Sequence, residues 1–325
     1  MINFEYTRAF TVKAAIDTLV KNPSATFIAG GTNLIDLMKK GVTTPGRLID
    51  INNLPLKQIT EDSQGLHIGA LALNSEVAEN KIVRERYPLL AMALNAGASA
   101  QLRNMATIGG NMMQRTRCTY FYDVTMPCNK RQPGSGCGAL QGYNRMHAIF
   151  GASEQCIAVH PSDMCVALAA LNATVHVSGS KAARNISFTD FHRLPGNTPE
   201  KDNTLQKGEL IIGISIPSNN FSSNSFYIKI RDRASYAFAL VSAAVAMELN
   251  GGIIKTARLA LGGVAHKPWR LPEVENFLVG KNVSEKTFQE AATLAMHNAK
   301  AFTHNSFKIK LAKATIAEAL MKASG

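Results

Sequence analysis

The residues best suited to chemistry are four cysteines and two Gly-Gly turns. Cys118, Cys128, Cys137 and Cys156 are separated by nine, eight and eighteen residues. The first three lie among Arg, Thr, Pro, Asn, Lys and Gly, where a free thiol would be exposed and open to oxidation. The fifth, Cys165, sits in Asp163-Met164-Cys165-Val166-Ala167 and reads as a small core residue. All five fall between residues 118 and 165, whereas a disulfide framework would spread them along the chain. Four thiolates on a loop suit zinc or an iron–sulfur cluster. Short C-x-x-C knuckles are missing. The long irregular spacings, the many glycine amides and the basic residues Arg115, Arg117, Lys130, Arg131 and Arg145 favour [4Fe–4S] with Cys118, Cys128, Cys137 and Cys156 as ligands.

The glycine turns suit an anion. Ala29-Gly30-Gly31-Thr32-Asn33-Leu34 follows a short apolar run and precedes a brief helical one, the arrangement in which free amides face a phosphate. Thr107-Ile108-Gly109-Gly110-Asn111 repeats the same ingredients. Two such turns from remote segments match the needs of a diphosphate linkage. Gly134-Ser135-Gly136-Cys137-Gly138-Ala139 carries the letters of a dinucleotide fingerprint, but neither a strand before it nor an apolar helix after it, so it reads as part of the cysteine loop. His160-Pro161-Ser162-Asp163 is a turn into a helix, with Asp163 placed to hold a ribose hydroxyl or a water. Lys229, Arg231 and Arg233 are either a solvated edge or a source of one cation beside a flavin. Trp269 reads as a packing anchor.

The elements that must position these residues divide at about residue 220. Before it the spacing predicts small α/β units: helices over 11–21, 33–40, 76–87, 89–98 and 163–171, and strands over 25–29, 47–51, 65–70, 156–159, 174–178 and 209–216. After it, strands over 225–230, 238–249 and 253–261 join through an Asn250-Gly251-Gly252 turn, a hairpin signal. Helices over 272–278, 284–301 and 308–322 follow, giving a small antiparallel sheet with helices on one face and an α+β class. With 325 residues, 46% hydrophobic, the chain supports two or three lobes. No apolar run reaches the roughly 18 residues of a membrane span, and no leader pattern opens the sequence, so no membrane insertion and a cytoplasmic location are the expectation. A formal charge of +12 with only 7% aromatics suits a polyanionic ligand or an acidic partner better than nucleic acid.

Taken together, the runs Ala-Gly-Gly-Thr-Asn-Leu, Gln-Leu-Arg-Asn-Met-Ala-Thr-Ile-Gly-Gly-Asn, His-Pro-Ser-Asp, Lys-Ile-Arg-Asp-Arg-Ala-Ser-Tyr-Ala and Gly-Gly-Val-Ala-x-x-Pro-Trp-Arg resemble the FAD-binding medium subunit of molybdenum hydroxylases, the xanthine dehydrogenase family. The resemblance covers nearly the whole chain. It is nearest to the subclass with an inserted cluster loop, as in bacterial aromatic aldehyde oxidoreductases and 4-hydroxybenzoyl-CoA reductase.

The resemblance implies a two-lobed vanillyl-alcohol-oxidase-type (PCMH-type) FAD domain followed by a C-terminal α+β domain. Its bounds would be 1–55 and 56–220 for the two lobes, with a cluster loop over 114–156, and 221–325 for the last domain. It implies FAD with its diphosphate on residues 29–34 and 107–111, Asp163 near the ribityl or diphosphate region, Lys229 near the isoalloxazine, and [4Fe–4S] on the four loop cysteines. No catalytic residue is assigned beyond the flavin. Nothing in the chain is assignable to [2Fe–2S] or a molybdenum cofactor, so a [2Fe–2S] small subunit and a molybdenum-cofactor large subunit are the implied partners. Electrons would leave through FAD to an external acceptor; in a reductase-type complex they would run inward. Co-export to the periplasm with a partner is the alternative to a cytoplasmic location, and a zinc or nucleic-acid module is the remote alternative.

Overall fold

A computed structural model describes residues 1–325, and three separate sheets organise them. The first is parallel, β1 (Glu5–Arg8), β2 (Ala25–Ile28) and β3 (Arg47–Asp50) in the order β1-β3-β2. Helix Val12–Lys21 connects β1 to β2, capped by the Thr11 hydroxyl, which accepts from the Ala14 amide at 3.1 Å, and it buries Ala15 and Ile16. Helix Leu34–Lys39 leads from the first glycine turn towards β3.

The second sheet is antiparallel: β4 (Ile59–Glu61), β5 (Gly65–Gly69), β6 (Thr174–Gly179), β7 (Ala183–Ser187) and β8 (Glu209–Pro217), in the order β4-β5-β8-β6-β7. Everything between β5 and β6, including the second glycine turn and all five cysteines, is one long excursion from this sheet. The helix expected over 76–87 is two, Asn74–Glu79 and Lys81–Arg86. Asn80 breaks it because its side chain accepts from the Ile82 and Val83 amides at 3.0 and 3.3 Å, a cap in competition with helix continuation. The strand expected over 156–159 does not form. Its amides and carbonyls go to separate partners, Ala148 to Ile157 at 2.9 Å and His160 to Ala265 at 2.9 Å. Strands β1 and β7 carry no clear alternation and were not legible.

The third sheet is β9 (Ser225–Ile230), β10 (Val241–Asn250), β11 (Ile253–Gly262) and β12 (Trp269–Arg270), in the order β12-β11-β10-β9. The expected hairpin is present, with Gly251 and Gly252 at φ +56° and +82°, values that suit glycine. The three helices that follow the sheet lie on one face, as expected, and helices of the second lobe cover the other. Val241, Ala243, Val245 and Met247 pack into a core with helices Glu285–Ala295 and Phe307–Ala323. Ala244 and Ala246 on the opposite face belong to the core of the second lobe, with helices Pro88–Ala96 and Asp163–Ala170. The small residues on that face let a second helix layer close on it. No helix is long and apolar enough to cross a membrane.

The excursion is tied down by ion pairs. Lys130, with its side chain only 1% exposed, pairs with Asp202 and donates to the Pro199 carbonyl at 2.8 Å. Arg115 reaches the other Asp202 oxygen at 2.6 Å, and the two cations hold the Asp202 carboxyl down to about 2. Asp202→Asn leaves a buried ammonium without its counter-charge, for which a loss of about 3 kcal/mol is expected, read as a lowered denaturant midpoint. A midpoint equal to the parent's would show that this triad does not anchor the loop.

Candidate functional site

The first glycine turn closes one side of a cavity of about 320 Å³ whose walls include Ala29, Gly30, Gly31, Thr32, Asn33 and Leu34 from the first lobe and Thr107, Gly109 and Gly110 from the second. The amides of Gly30, Gly31, Thr32 and Asn33 donate to no acceptor within the chain. Gly31 at φ +70° turns successive amides to one side, the geometry of an anion nest. Gly30 is required by proximity: a Cβ there would lie 1.8 Å from the Met105 carbonyl oxygen. The second turn plays a different part from the first. Gly109 donates to the Ala70 carbonyl at 2.8 Å, Gly110 to the Thr107 hydroxyl at 3.2 Å and Asn111 to the Thr107 carbonyl at 2.7 Å. It forms the first turn of a short helix, Ile108–Met112, and supplies wall, not free donors. The two asparagine side chains are struts. Asn33 Oδ1 accepts from the Arg115 amide at 2.9 Å, and Asn111 Oδ1 accepts from Ser162 Oγ at 2.7 Å.

A second cavity of about 270 Å³ lies between the second lobe and the third sheet, with Arg117, Cys118, His147, His160, Ser162, Asp163, Phe238 and Gly263 among its lining residues. Ser162, at the edge of this space, is the residue that bonds Asn111 from the helix that walls the first. Asp163 faces the cavity, but both its oxygens are engaged from behind: Oδ1 accepts from Tyr227 at 2.7 Å and Oδ2 from Lys229 at 2.7 Å. Lys229, with a side chain 4% exposed, also donates to the Ala96 carbonyl at 3.0 Å. It therefore reaches the cavity through Asp163, which lines it. Ser162 caps helix Asp163–Ala170 by accepting from the Cys165 amide at 3.1 Å. Trp269 stacks on Phe150 at 5.1 Å and 12°, a packing role.

The wall behind this cavity is rich in neutral histidine. Burial pushes His192 down to about 4, His266 to about 3 and His160 well below its usual value. His160, Cys165 and His192 each bring a ligand atom within 4.8 Å of the others. His160 Nδ1 accepts from the Ser162 amide at 3.3 Å, which puts the proton of the neutral ring on Nε2, and His192 Nε2 lies 2.9 Å from the Met112 carbonyl, to which it donates. Cys165 is fully buried in the helix, as the sequence indicated.

The other four cysteines line one enclosed space, together with Thr116, Tyr120, Phe121 and Lys130. Cys128 and Cys137 pair as a single antiparallel bridge, and Gly134 and Gly136, at φ +85° and +96°, form the turn between them. The Gly-Ser-Gly-Cys-Gly-Ala run is thus the turn and return strand between two cysteines. All five cysteines are free. Burial pushes the Cys118 thiol up to about 12 and Cys156 to about 11; thiolates here need positive charge inside the cavity. The surrounding basic residues do not provide it freely. Arg115 and Lys130 serve Asp202, Arg145 binds Asp232 at 2.9 and 2.8 Å, Arg117 lies 3.4 Å from Asp36, and Arg131 clamps the Tyr120 and Phe121 carbonyls at 3.0 and 2.9 Å.

Residues 2–219 match the family described as FAD binding domain in molybdopterin dehydrogenase, and residues 226–323 match the CO dehydrogenase flavoprotein C-terminal domain. The chain belongs to the FAD-binding medium subunits of the molybdenum hydroxylase family. It is 47% identical over 324 residues to the aldehyde oxidoreductase FAD-binding subunit PaoB of Escherichia coli (strain K12), covering 98% of both chains. It is 31% identical to the glyceraldehyde dehydrogenase medium chain of Sulfolobus acidocaldarius, over 89% of this chain and 86% of that one. Among solved structures, it resembles quinoline 2-oxidoreductase from Pseudomonas putida 86, with a TM-score of 0.77, 26% identity and coverage of 99% and 97%. It also resembles carbon monoxide dehydrogenase from Hydrogenophaga pseudoflava, at 0.78, 26%, 99% and 98%. The two-lobed FAD domain followed by a C-terminal α+β domain is therefore the fold of this chain, and the chain is an oxidoreductase subunit.

The residues of this medium subunit fit FAD. Four unpartnered amides suit the diphosphate, and the small residues around them admit it without side-chain hindrance. Several lining groups of the second cavity were not legible: His147, Met146, Tyr143 and Phe238 lie far from either glycine turn and follow no spacing pattern. Gly30→Ala is expected to cut FAD content at least tenfold, about 1.4 kcal/mol or more, because its methyl group would strike the Met105 carbonyl; full flavin in that variant would remove the first turn from the site. Acid should also weaken the fold before carboxylates titrate. Unfolded histidine binds protons near pH 6.5, while His192 and His266 resist them until about 4 and 3. Stability is thus full above pH ~6.5 and falls as pH drops towards 4. Denaturant midpoints should be lower at pH 5 than at pH 7, and equal midpoints would contradict the buried neutral state.

Proposed function

We propose that this chain is the electron-transfer subunit of a molybdenum-dependent aldehyde oxidoreductase, binding FAD across the two cavities and a [4Fe–4S] cluster on Cys118, Cys128, Cys137 and Cys156. Substrate is oxidised on a molybdenum-cofactor large subunit, a small subunit carries [2Fe–2S] clusters, and this chain is the outlet to an external acceptor. The observation that carries the reading is the convergence of four free thiols on one enclosed space, of which Cys118 also lines the second flavin cavity. The names of the relatives from Escherichia coli and Sulfolobus acidocaldarius support an aldehyde as the substrate class.

When bound, FAD handles electrons singly or in pairs and an iron–sulfur cluster handles one at a time. The chain's own part is binding and insulation. Free amides at residues 30–33 hold the diphosphate charge, and the Ser162–Asn111 bond fixes the passage from one cavity to the next. Asp163, held by Tyr227 and Lys229, presents a carboxylate edge to the second cavity. For the cysteines, the spacing supports a cluster over zinc. A tetrahedral zinc with bonds of about 2.3 Å draws its sulfurs to about 3.8 Å from one another. No three of these sulfurs share a 4.8 Å neighbourhood, whereas a cubane carries its thiolates on outer corners.

Cys137→Ser is expected to reduce iron to near zero and keep flavin at least in part, since the diphosphate turn lies elsewhere. Iron and FAD analysis of the complex purified from its host checks both. Unchanged iron would exclude Cys137 as a ligand, and a parent complex holding zinc without iron would refute the cluster.

A further inference from the structure

Two residues, Thr116 and Cys118, border both the second flavin cavity and the thiol cavity. Cys118 faces both spaces, and His147 stands on the flavin side of it. His147 Nε2 lies 3.2 Å from Cys118 Sγ. No other side-chain polar group lies within bonding distance of any of the four loop sulfurs. The second ring nitrogen, Nδ1, is buried and has no partner within hydrogen-bond distance, and a thiolate on the Nε2 side favours the tautomer with its proton there.

Placement of the ring depends on the C-terminal domain. Lys308 Nζ donates to the Met146, His147 and Gly263 carbonyls at 3.0, 3.0 and 2.7 Å. Asn305 Nδ2 donates to the His147 and Ala148 carbonyls at 3.2 and 3.1 Å. Asn144 joins from the other side, its Oδ1 accepting from the His304 amide at 2.9 Å. Lys308, Asn305 and Asn144 are each fully buried, and Lys308 makes no ion pair with a carboxylate. Such a set of bonds fixes the backbone of one short turn, residues 144–148, to a helix more than 150 positions away in sequence, and the group it aims is the His147 ring.

We propose that His147 is a positioning residue for the redox centre. Its Nε2–H donates to the Cys118 thiolate of the bound [4Fe–4S] cluster and raises the cluster's potential, with Asn305 and Lys308 locking the ring in place. The inference rests on the cluster reading above. Adding one electron, supplied by the [2Fe–2S] subunit, increases negative charge on the cluster thiolates. A donor aimed at one of them favours that state, and hydrogen bonds to sulfur are a principal control of cluster potential. The proton stays on the imidazole throughout, so electron and charge balance without a proton transfer. Because Cys118 is the ligand bordering the flavin cavity, the donor acts on the side of the cluster nearest the flavin.

The test uses the whole complex. Iron and FAD in the parent complex are measured first: no iron ends the cluster reading and this inference together, while iron present isolates the role of His147. The cluster's midpoint is then followed by EPR-monitored titration in His147→Phe and His147→Gln. Loss of the donor should shift the reduced-to-oxidised ratio at fixed potential about tenfold against reduction, a midpoint lower by about 59 mV for one electron. Gln, which keeps an N–H, should recover most of that shift, and midpoints are compared per iron in complexes whose flavin content has been measured. An unmoved midpoint in His147→Phe with iron intact would overturn the proposal. If that variant loses iron, pulsed EPR of the parent complex carrying isotopically labelled histidine decides. A coupling from one histidine nitrogen to the reduced cluster supports the donor, and no coupling overturns it.

Discussion

Two backbones touch at Gly30, and the site depends on that contact. A Cβ at this position would stand 1.8 Å from the Met105 carbonyl oxygen, closer than any side chain permits. Because it is absent, the parallel sheet of the first lobe can dock on the segment that leads into the second glycine turn, and the space between them becomes the first cavity. The dock then propagates. Asn33, three residues on, accepts from the Arg115 amide, which fixes where the cysteine excursion starts. Arg115 in turn shares Asp202 with Lys130, which fixes where it returns. The nest of free amides and the thiol cavity are therefore positioned by one chain of contacts beginning at a missing methyl group.

Charge is distributed in an unexpected way around the cysteines. A loop with five nearby cations appears from its sequence to be built against an anionic cluster, but those cations bind carboxylates and carbonyls of the chain itself. What remains beside the thiols is the dipole of one neutral imidazole, with His147 Nε2 3.2 Å from Cys118 Sγ. Dipoles of this kind stabilise negative charge without requiring a buried counter-ion of their own, and an unpaired buried cation is costly. Lys308 is the exception. It keeps a depressed affinity for its proton, about 7, under burial and the nearby Arg145, and three carbonyls stand in for a carboxylate.

The legible parts of the sequence were those whose physics is local. The Gly-Gly turns, the Asn250-Gly251-Gly252 hairpin, the Ser162 cap and the core character of Cys165 each follow from neighbours within a few residues. The four loop cysteines stood out because thiols in polar irregular sequence have no packing reason to be there. The missed features are long-range. Nothing near residue 80 shows that its side chain will cap a second helix instead of continuing the first. Nothing in Ser242, Ala244 and Ala246 shows that their face is covered, because the covering helices come from residues 88–96 and 163–170. Lys229 looked like a free cation for the same reason: its partner Asp163 lies 66 positions earlier, in a different lobe.

The division of labour between the two glycine turns shows how similar sequence can carry different chemistry. Both turns hold Gly-Gly-(Thr)-Asn ingredients, and both border the same cavity. In the first, the strand ends before the glycines and the helix begins after them, so four amides are left without acceptors. In the second, Thr107 caps a helix at once, and its hydroxyl and carbonyl take the amides of Gly110 and Asn111. An anion then has one nest, and the opposite wall needs only to be thin and rigid. Gly109 meets that need, since a Cβ there would press on Ala70 at 3.1 Å. A cradle assembled this way binds through one lobe and is closed by the other, so its affinity is sensitive to how the lobes dock as well as to the residues that touch the ligand.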